Sequence, residues 1–260
     1  MMKSKTKRKN KKNHLDNAVF GIRPVIEAIN EGKTIDKLFI QKGLKGDLFS
    51  ELWNIVRSKR INYKHVPIEK MNRLTRKNHQ GVFAFISPID FHQIENIIPT
   101  IYEEGKDPLI LILDKISDVR NFGAIARTAE CAGVNTILIT TDGAAAINGD
   151  AIKTSAGALY KIPICRTSNL KKSLQFIKDS GLQIIGCTEK GKDNIYDVNF
   201  NSPTAIIMGS EDDGISPAYL RVCDVQSKIP MRGSTSSLNV SVATGVILFE
   251  ANKQRLIIKK

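Results

Sequence analysis

Residues 108–133, PLILILDKISDVRNFGAIARTAECAG, decide the fold. The first seven form an unbroken apolar run closed by Asp114, the signature of a strand buried on both faces. A helix rich in small and apolar residues follows, with Asn121 as the expected cap near its start. The same alternation then repeats. NTILIT, YKIPICR, LQIIGCT, TAIIMGS and QSKIPM read as strands, separated by helices in GDAIKTSAGAL, NLKKSLQFIKDS and SPAYLRVC. A last helix is expected in LNVSVATGVILFEANKQ. Residues 107–260 are therefore predicted to be an α/β domain whose mostly parallel sheet is covered on both faces. In such sheets ligands gather at loops beyond the carboxyl ends of the strands.

Upstream, residues 17–87 read as a separate, smaller α/β domain. RPVIEAIN and LFSELWNIVRSK have helical periodicity, with Ile26, Leu48, Leu52 and Val56 as candidate core positions. KLFIQ, NYKHV and GVFAFIS read as short strands. Its bases include Arg73, Arg76 and Lys77, a cluster leading up to His79 that is either a solvated face or a grip for phosphates. Residues 88–106, with Pro88, Pro99 and the polar EEGK, read as a connector holding one short helix.

The net charge of +13 points to polyanionic partners, nucleic acid first. Seven of those thirteen charges fall in MMKSKTKRKNKK at the start of the chain. That run cannot bury an apolar face, so residues 1–16 are expected to be a disordered basic arm, either touching RNA or merely solubilising. No secretory signal and no membrane-length apolar run are present, which predicts a cytoplasmic protein. The four cysteines, Cys131, Cys165, Cys187 and Cys223, form no CxxC pair and are expected to be small buried hydrophobes in a reducing compartment.

Several chemistries are disfavoured. No GxGxxG opens a helix after the first strand of the large domain. The spacing Gly186 to Lys192, GCTEKGK, mimics a phosphate loop, but Asp193 stands where a magnesium-binding hydroxyl is needed. All four histidines precede residue 107, so the large domain has no imidazole for a Ser-His-Asp mechanism or a histidine metal site. No metal is expected.

Three strand-end loops carry the remaining polar chemistry. The first holds Asn121 and Arg127, which alone would be a helix cap and a surface helix residue. The second, IIMGSEDDGIS, runs a strand into Gly209, whose missing side chain would let a ligand approach the backbone. Its acids Glu211, Asp212 and Asp213 lack the companion ligands of a metal site. The third, IPMRGSTSSLNVSVATGVILFE, ends a strand near Met231 and opens a helix around Ser237 to Asn239. Helix-start amides there suit a ligand edge, or simply close a serine-rich turn.

In this order and spacing the three loops resemble the three motifs of the SpoU/TrmH branch of the SPOUT methyltransferases, over essentially all of residues 107–252. Motif one is matched by Asn121, Gly123 and Arg127, and motif two by Gly209, Ser210, Glu211 and Gly214. Motif three is matched by Ile229, Pro230, Ser237, Leu238, Asn239 and Ala243. One departure is Val119 after Asp118, where the family often has proline. The resemblance implies a C-terminal trefoil knot, a homodimer and S-adenosyl-L-methionine as cofactor. It implies a site in which Asn121, Arg127, Glu211, Ser237 and Asn239 are catalytic, and Gly209, Ile229, Met231, Gly233 and Leu238 hold the cofactor. Residues 17–87 resemble the ribosomal-protein-like substrate-binding domain of members that methylate guanosine 2′-hydroxyls of 23S ribosomal RNA. The partner implied is structured RNA, ribosomal before transfer RNA. A non-catalytic RNA-binding or ribosome-assembly protein on the same fold is the alternative.

Overall fold

The computed structural model describes residues 17–235 and 237–258. The basic arm of residues 1–16 lies outside them. The described chain forms two compact units, one of residues up to Asp90 with 147–149, the other of 91–146 and 150 onward.

The first unit contains β1 (Ala18–Phe20), α1 (Ile22–Asn30), β2 (Ile35–Gln41), α2 (Asp47–Ser58), β3 (Tyr63–Val66), α3 (Ile68–Leu74) and β4 (Val82–Ile86). The sheet order is β1-β4-β2-β3, with β2 and β3 parallel and β4 antiparallel to its neighbours. Alternation along β2 sends Leu38 and Ile40 to one face, where they pack with Val25, Ile26, Leu52 and Val56 of α1 and α2. Leu48 joins that core only partly buried. Met71 of α3 and Phe83 pack with Phe39 and Phe85 in a second cluster. β1 and α3 are too short to show periodicity, and neither is expected from the sequence.

The second unit begins with β5 (Phe91–His92) and α4 (Ile94–Glu103), so the stretch read as a connector contributes both a strand and a three-turn helix. Then come β6 (Leu109–Asp114), α5 (Val119–Cys131), β7 (Thr136–Thr140), α6 (Gly149–Thr154), β8 (Ile164–Thr167), α7 (Leu170–Asp179) and β9 (Gln183–Cys187). The chain continues through β10 (Asp193–Asn194), β11 (Thr204–Gly209), α8 (Pro217–Leu220), β12 (Val225–Lys228) and α9 (Val240–Ile258). The predicted helix over 149–159 is only α6 followed by a turn of 3₁₀ helix at Ala158–Tyr160, and SPAYLRVC contracts to the four residues of α8.

The eight strands are ordered β10-β12-β9-β11-β6-β7-β8-β5, and every pairing is parallel. β6 and β11 are buried along their whole lengths. Each large apolar side chain so buried contributes about 1.5–3 kcal/mol. After β8 the chain returns to the other side of β6, and β11 inserts between β6 and β9. That reversal is the place where an open parallel sheet leaves a crevice. Register places Asp114 beside Gly209 and Met208 beside Cys187, so the loops after β6, β9 and β11 leave the sheet side by side.

Candidate active site

A cleft of about 740 Å³ lies at this carboxyl edge. Its walls are the ends of β9, β11 and β12, the loops that follow them, and the first turns of α9. Parallel strands force this arrangement, because all their carboxyl ends share one edge.

The three loops meet in one hydrogen-bonded cluster. Nδ2 of Asn239 donates to Oε1 of Glu211 at 2.6 Å and to Oδ1 of Asn121 at 3.2 Å. Nδ2 of Asn121 donates to the same Glu211 oxygen at 3.1 Å. The remaining end of Asn239, Oδ1, accepts from the backbone N–H of Ser241 at 3.0 Å and from its hydroxyl at 2.6 Å. An amide side chain has two donor hydrogens and two acceptor sites, so Asn239 is saturated and held. The open positions are Oε2 of Glu211 and one N–H of Asn121, which among the described residues have no partner.

Asn121 is not the cap of its helix. α5 starts two residues earlier, and Oδ1 of Asp118 accepts from the N–H groups of Arg120 at 2.9 Å and Asn121 at 2.8 Å. A carboxylate satisfies the orphan amides of the first turn better than a neutral amide, and this frees the Asn121 side chain for the cluster. The helix also passes close to α6: a Cβ added at Gly123 would come within 2.7 Å of Cβ of Thr154.

Gly209, Glu211, Ile229, Met231, Ser237, Leu238 and Asn239 all line the cleft. Asn121 reaches it through the cluster. Gly233 and Arg127 are exposed outside the lining. Glycine at 209 also meets a second requirement, inside the chain. A Cβ there would meet the backbone of Gly214 at 2.0 Å, because the loop turns back through a Ser210–Gly214 bridge and packs on the strand. The close approach is by the chain itself. β12 ends at Lys228, earlier than expected near Met231, because the chain leaves the sheet at the Ile229-Pro230 pair. α9 opens at Val240, with Asn239 just before it.

Three contributors were missed. Ser241, fixing Asn239, looks in sequence like any helix serine. Asp118 lies three residues before Asn121, the spacing of a capping side chain. Thr188, Glu189 and Lys190, within the rejected phosphate-loop mimic, form a further wall of the cleft because β9 ends there.

The cleft is more acidic than the chain. Glu189, Glu211, Asp212 and Asp213 face it against Lys190 and Lys228, while Ile229, Met231 and Leu238 add apolar surface. Among the described residues no group of three or more His, Cys, Asp or Glu side chains could hold a metal. Cys187 lines the cleft floor buried, and burial pushes its thiol up to about 12. Cys165 is buried as expected, whereas Cys223 is half-buried and Cys131 exposed, on the last turn of α5. Among the described residues no helix is long and apolar enough to cross a membrane.

Residues 108–249 match the SpoU rRNA Methylase family, and residues 18–92 match the RNA 2′-O ribose methyltransferase substrate-binding family. The 23S rRNA (guanosine-2′-O-)-methyltransferase RlmB of Photobacterium profundum is 34% identical, over 92% of this chain and 98% of its own. A Staphylococcus saprophyticus protein named for the TrmH family of tRNA/rRNA methyltransferases is 32% identical over 91% of this chain and 95% of its own. The SpoU methyltransferase AviRb of Streptomyces viridochromogenes, crystallised in complex with AdoMet, superposes with a TM-score of 0.60. It is 26% identical and covers 92% of this chain and 90% of its own. Three loops knit into one polar cluster beside a cleft, on a sheet matched over the whole methylase region, make this chain a member of the SpoU family of RNA methyltransferases.

Proposed function

We propose that the protein transfers the methyl group of S-adenosyl-L-methionine to a ribose 2′-hydroxyl of RNA, a guanosine of ribosomal RNA. The observation that carries this reading is the Asn121–Glu211–Asn239 cluster at the cleft, which leaves one donor and one carboxylate oxygen open toward a sugar. The cleft fits the cofactor: apolar Ile229, Met231 and Leu238 suit an adenine, and four acids suit a ligand carrying a sulfonium and an ammonium group. When bound, the cofactor supplies an electrophilic methyl group and departs as a neutral thioether, so no acid is needed for the leaving group.

The residues of this chain then position the hydroxyl. Oε2 of Glu211 accepts from a ribose hydroxyl while the free N–H of Asn121 donates to the sugar, aligning it for in-line displacement. Arg127 clamps a phosphate through its planar, five-donor guanidinium. A phosphate oxygen or a water takes the proton as the new C–O bond forms. Ser237 closes the cleft beside the methyl group.

In the proposed division of labour residues 17–87 bind substrate RNA and 107–260 form the methyltransferase domain, while β5 and α4, from the stretch read as a connector, belong to the second unit. Family kinship supports a trefoil knot near the C-terminus, in keeping with α9 packing on α5 after β11 has inserted between β6 and β9. It also supports a homodimer in the cytoplasm. On α9, Val242, Phe249 and Leu256 are each more than half exposed at intervals of seven residues, one stripe that a second copy would cover.

Calorimetry with S-adenosyl-L-methionine and mapping of 2′-O-methyl sites in total RNA from a deletion strain test the proposal. Binding together with the loss of a single ribosomal guanosine methylation is expected. A lost site in transfer RNA would move the substrate there, and no cofactor binding would reduce the protein to an RNA-binding factor.

A further inference from the structure

The loop from α3 to β4 borders a second, wide-open cavity of about 490 Å³, wholly within the first unit and lined by Asn72, Arg76, Lys77, His79 and Gln80 among others. Its internal hydrogen bonds fix which atoms face the opening. His79, only 7% exposed, accepts the backbone N–H of Gly81 on Nδ1 at 3.0 Å. An imidazole accepting on Nδ1 carries its proton on Nε2. That nitrogen therefore donates to Oδ1 of Asn72, 3.0 Å away. Oε1 of Gln80 accepts the backbone N–H of Ile22 at 3.1 Å.

Both amides thus turn their oxygens inward, leaving Nδ2 of Asn72 and Nε2 of Gln80 as donors without partners among the described residues. Exposed Arg76 and Lys77 stand beside them, and no acid lines the cavity. Gln80 is held at φ +48°, a left-handed conformation that strains a non-glycine residue. The bond to Ile22 holds that conformation in place. Two unpartnered amide donors and two cations, with no acid among the lining residues, match an anion rich in oxygen.

We propose that this cavity is a phosphate site for RNA, gripping a backbone phosphodiester of the substrate in the unit that does not hold the methyl-transfer cleft. Choosing RNA as the source of the phosphate rests on the methyltransferase proposal; the donor geometry does not.

The test measures equilibrium binding of the full chain to in vitro transcribed 23S ribosomal RNA, and separately to bulk transfer RNA, across a range of salt. Asn72→Asp and Gln80→Glu each keep the oxygen that accepts inside the protein and replace the outward donor with negative charge. Each is expected to weaken binding of the preferred RNA about tenfold at unchanged melting temperature. R76Q/K77Q is expected to lower the slope of log affinity against log salt by about one, the two cations sharing one phosphate. K33Q/K45Q, removing equal charge elsewhere on the same unit, should change binding several-fold less. Equal losses in the two lysine and arginine pairs, or wild-type binding by N72D and Q80E, would overturn the site. If either acidic variant melts early, the comparison of the two pairs decides. Inorganic phosphate, titrated alone, separates the sources: binding that R76Q/K77Q abolishes while RNA affinity stays intact would mark a small-anion site and sink the assignment. Calorimetry with S-adenosyl-L-methionine should be unchanged in every variant, and failure of the wild type to bind it would refute the enzyme reading without touching this one.

Discussion

Asn239 and Glu211, 28 residues apart, are joined at 2.6 Å, tying the start of α9 to the loop after β11. Asn239→Ala removes four hydrogen bonds at once and loosens the Glu211 carboxylate. Single-turnover methylation should slow about a hundredfold, with cofactor affinity changed far less, because misplaced groups cost rate more than binding. Full activity in this variant would remove Asn239 from the site.

Arg127 lies outside the cleft lining and among the described residues has no ion pair. Arg127→Ala should therefore fold and bind S-adenosyl-L-methionine normally, yet lose turnover by at least about a hundredfold. Arg127→Lys should recover little, since a point charge replaces a planar fork. Near wild-type methylation by the alanine variant would refute the phosphate-clamp role.

Phe249 sits at the middle of the exposed stripe on α9 and is 51% exposed. Phe249→Glu places a charge where a second copy is proposed to dock. Sedimentation should shift from dimer to monomer, with secondary structure by circular dichroism unchanged. Monomer already in the wild type would remove the homodimer.

Arg255 donates to four backbone carbonyls: Phe200 at 2.8 Å, Asp107 at 2.9 Å, Pro108 at 3.1 Å and Ser202 at 2.8 Å. These precede β6 and β11, so one guanidinium binds α9 to the amino ends of both central strands. Arg255→Ala should cost about 2–4 kcal/mol in chemical denaturation, the range for leaving partly buried carbonyls unpaired. A change below about 0.5 kcal/mol, the surface-residue range, would show the clamp to be decorative.

Burial raises the thiols of Cys165 and Cys223 to about 11 and of Cys187 to about 12, from an ordinary value of 9.0. A raised acid holds its proton more tightly in the folded state. The resulting stability is complete below pH 9 and is lost as pH climbs toward 12. Melting curves of wild type and Cys187→Ala should thus run parallel below pH 9 and converge above it. Iodoacetamide at neutral pH should label exposed Cys131 first.

The second unit was legible because β6, β7, β9 and β11 are buried on both faces and so read as plain apolar runs. β5 and β10 span two residues each and leave no pattern. The strand order was not legible either, since nothing local in TAIIMGS says that it lies between β6 and β9. The cluster residues Asn121, Glu211 and Asn239 were visible only as three motifs taken together, and their mutual bonds depend on that strand order. Asp118 was overlooked as the cap because Asn121 had been given that duty. The wall at 188–190 was overlooked because rejecting its phosphate-loop spacing left the loop without a role. The close approach of Gly209 to Gly214 was not legible, because it depends on how the loop folds back on β11.

α9 carries Asn239 at one end and Arg255 near the other, and both are translated after every strand they join. A nascent chain stopped at residue 238 has its sheet and the direct Asn121–Glu211 bond, but not the two bonds from Asn239 that tie α9 to that pair. The cluster is therefore completed in a single late step, once the ribosome has released this helix.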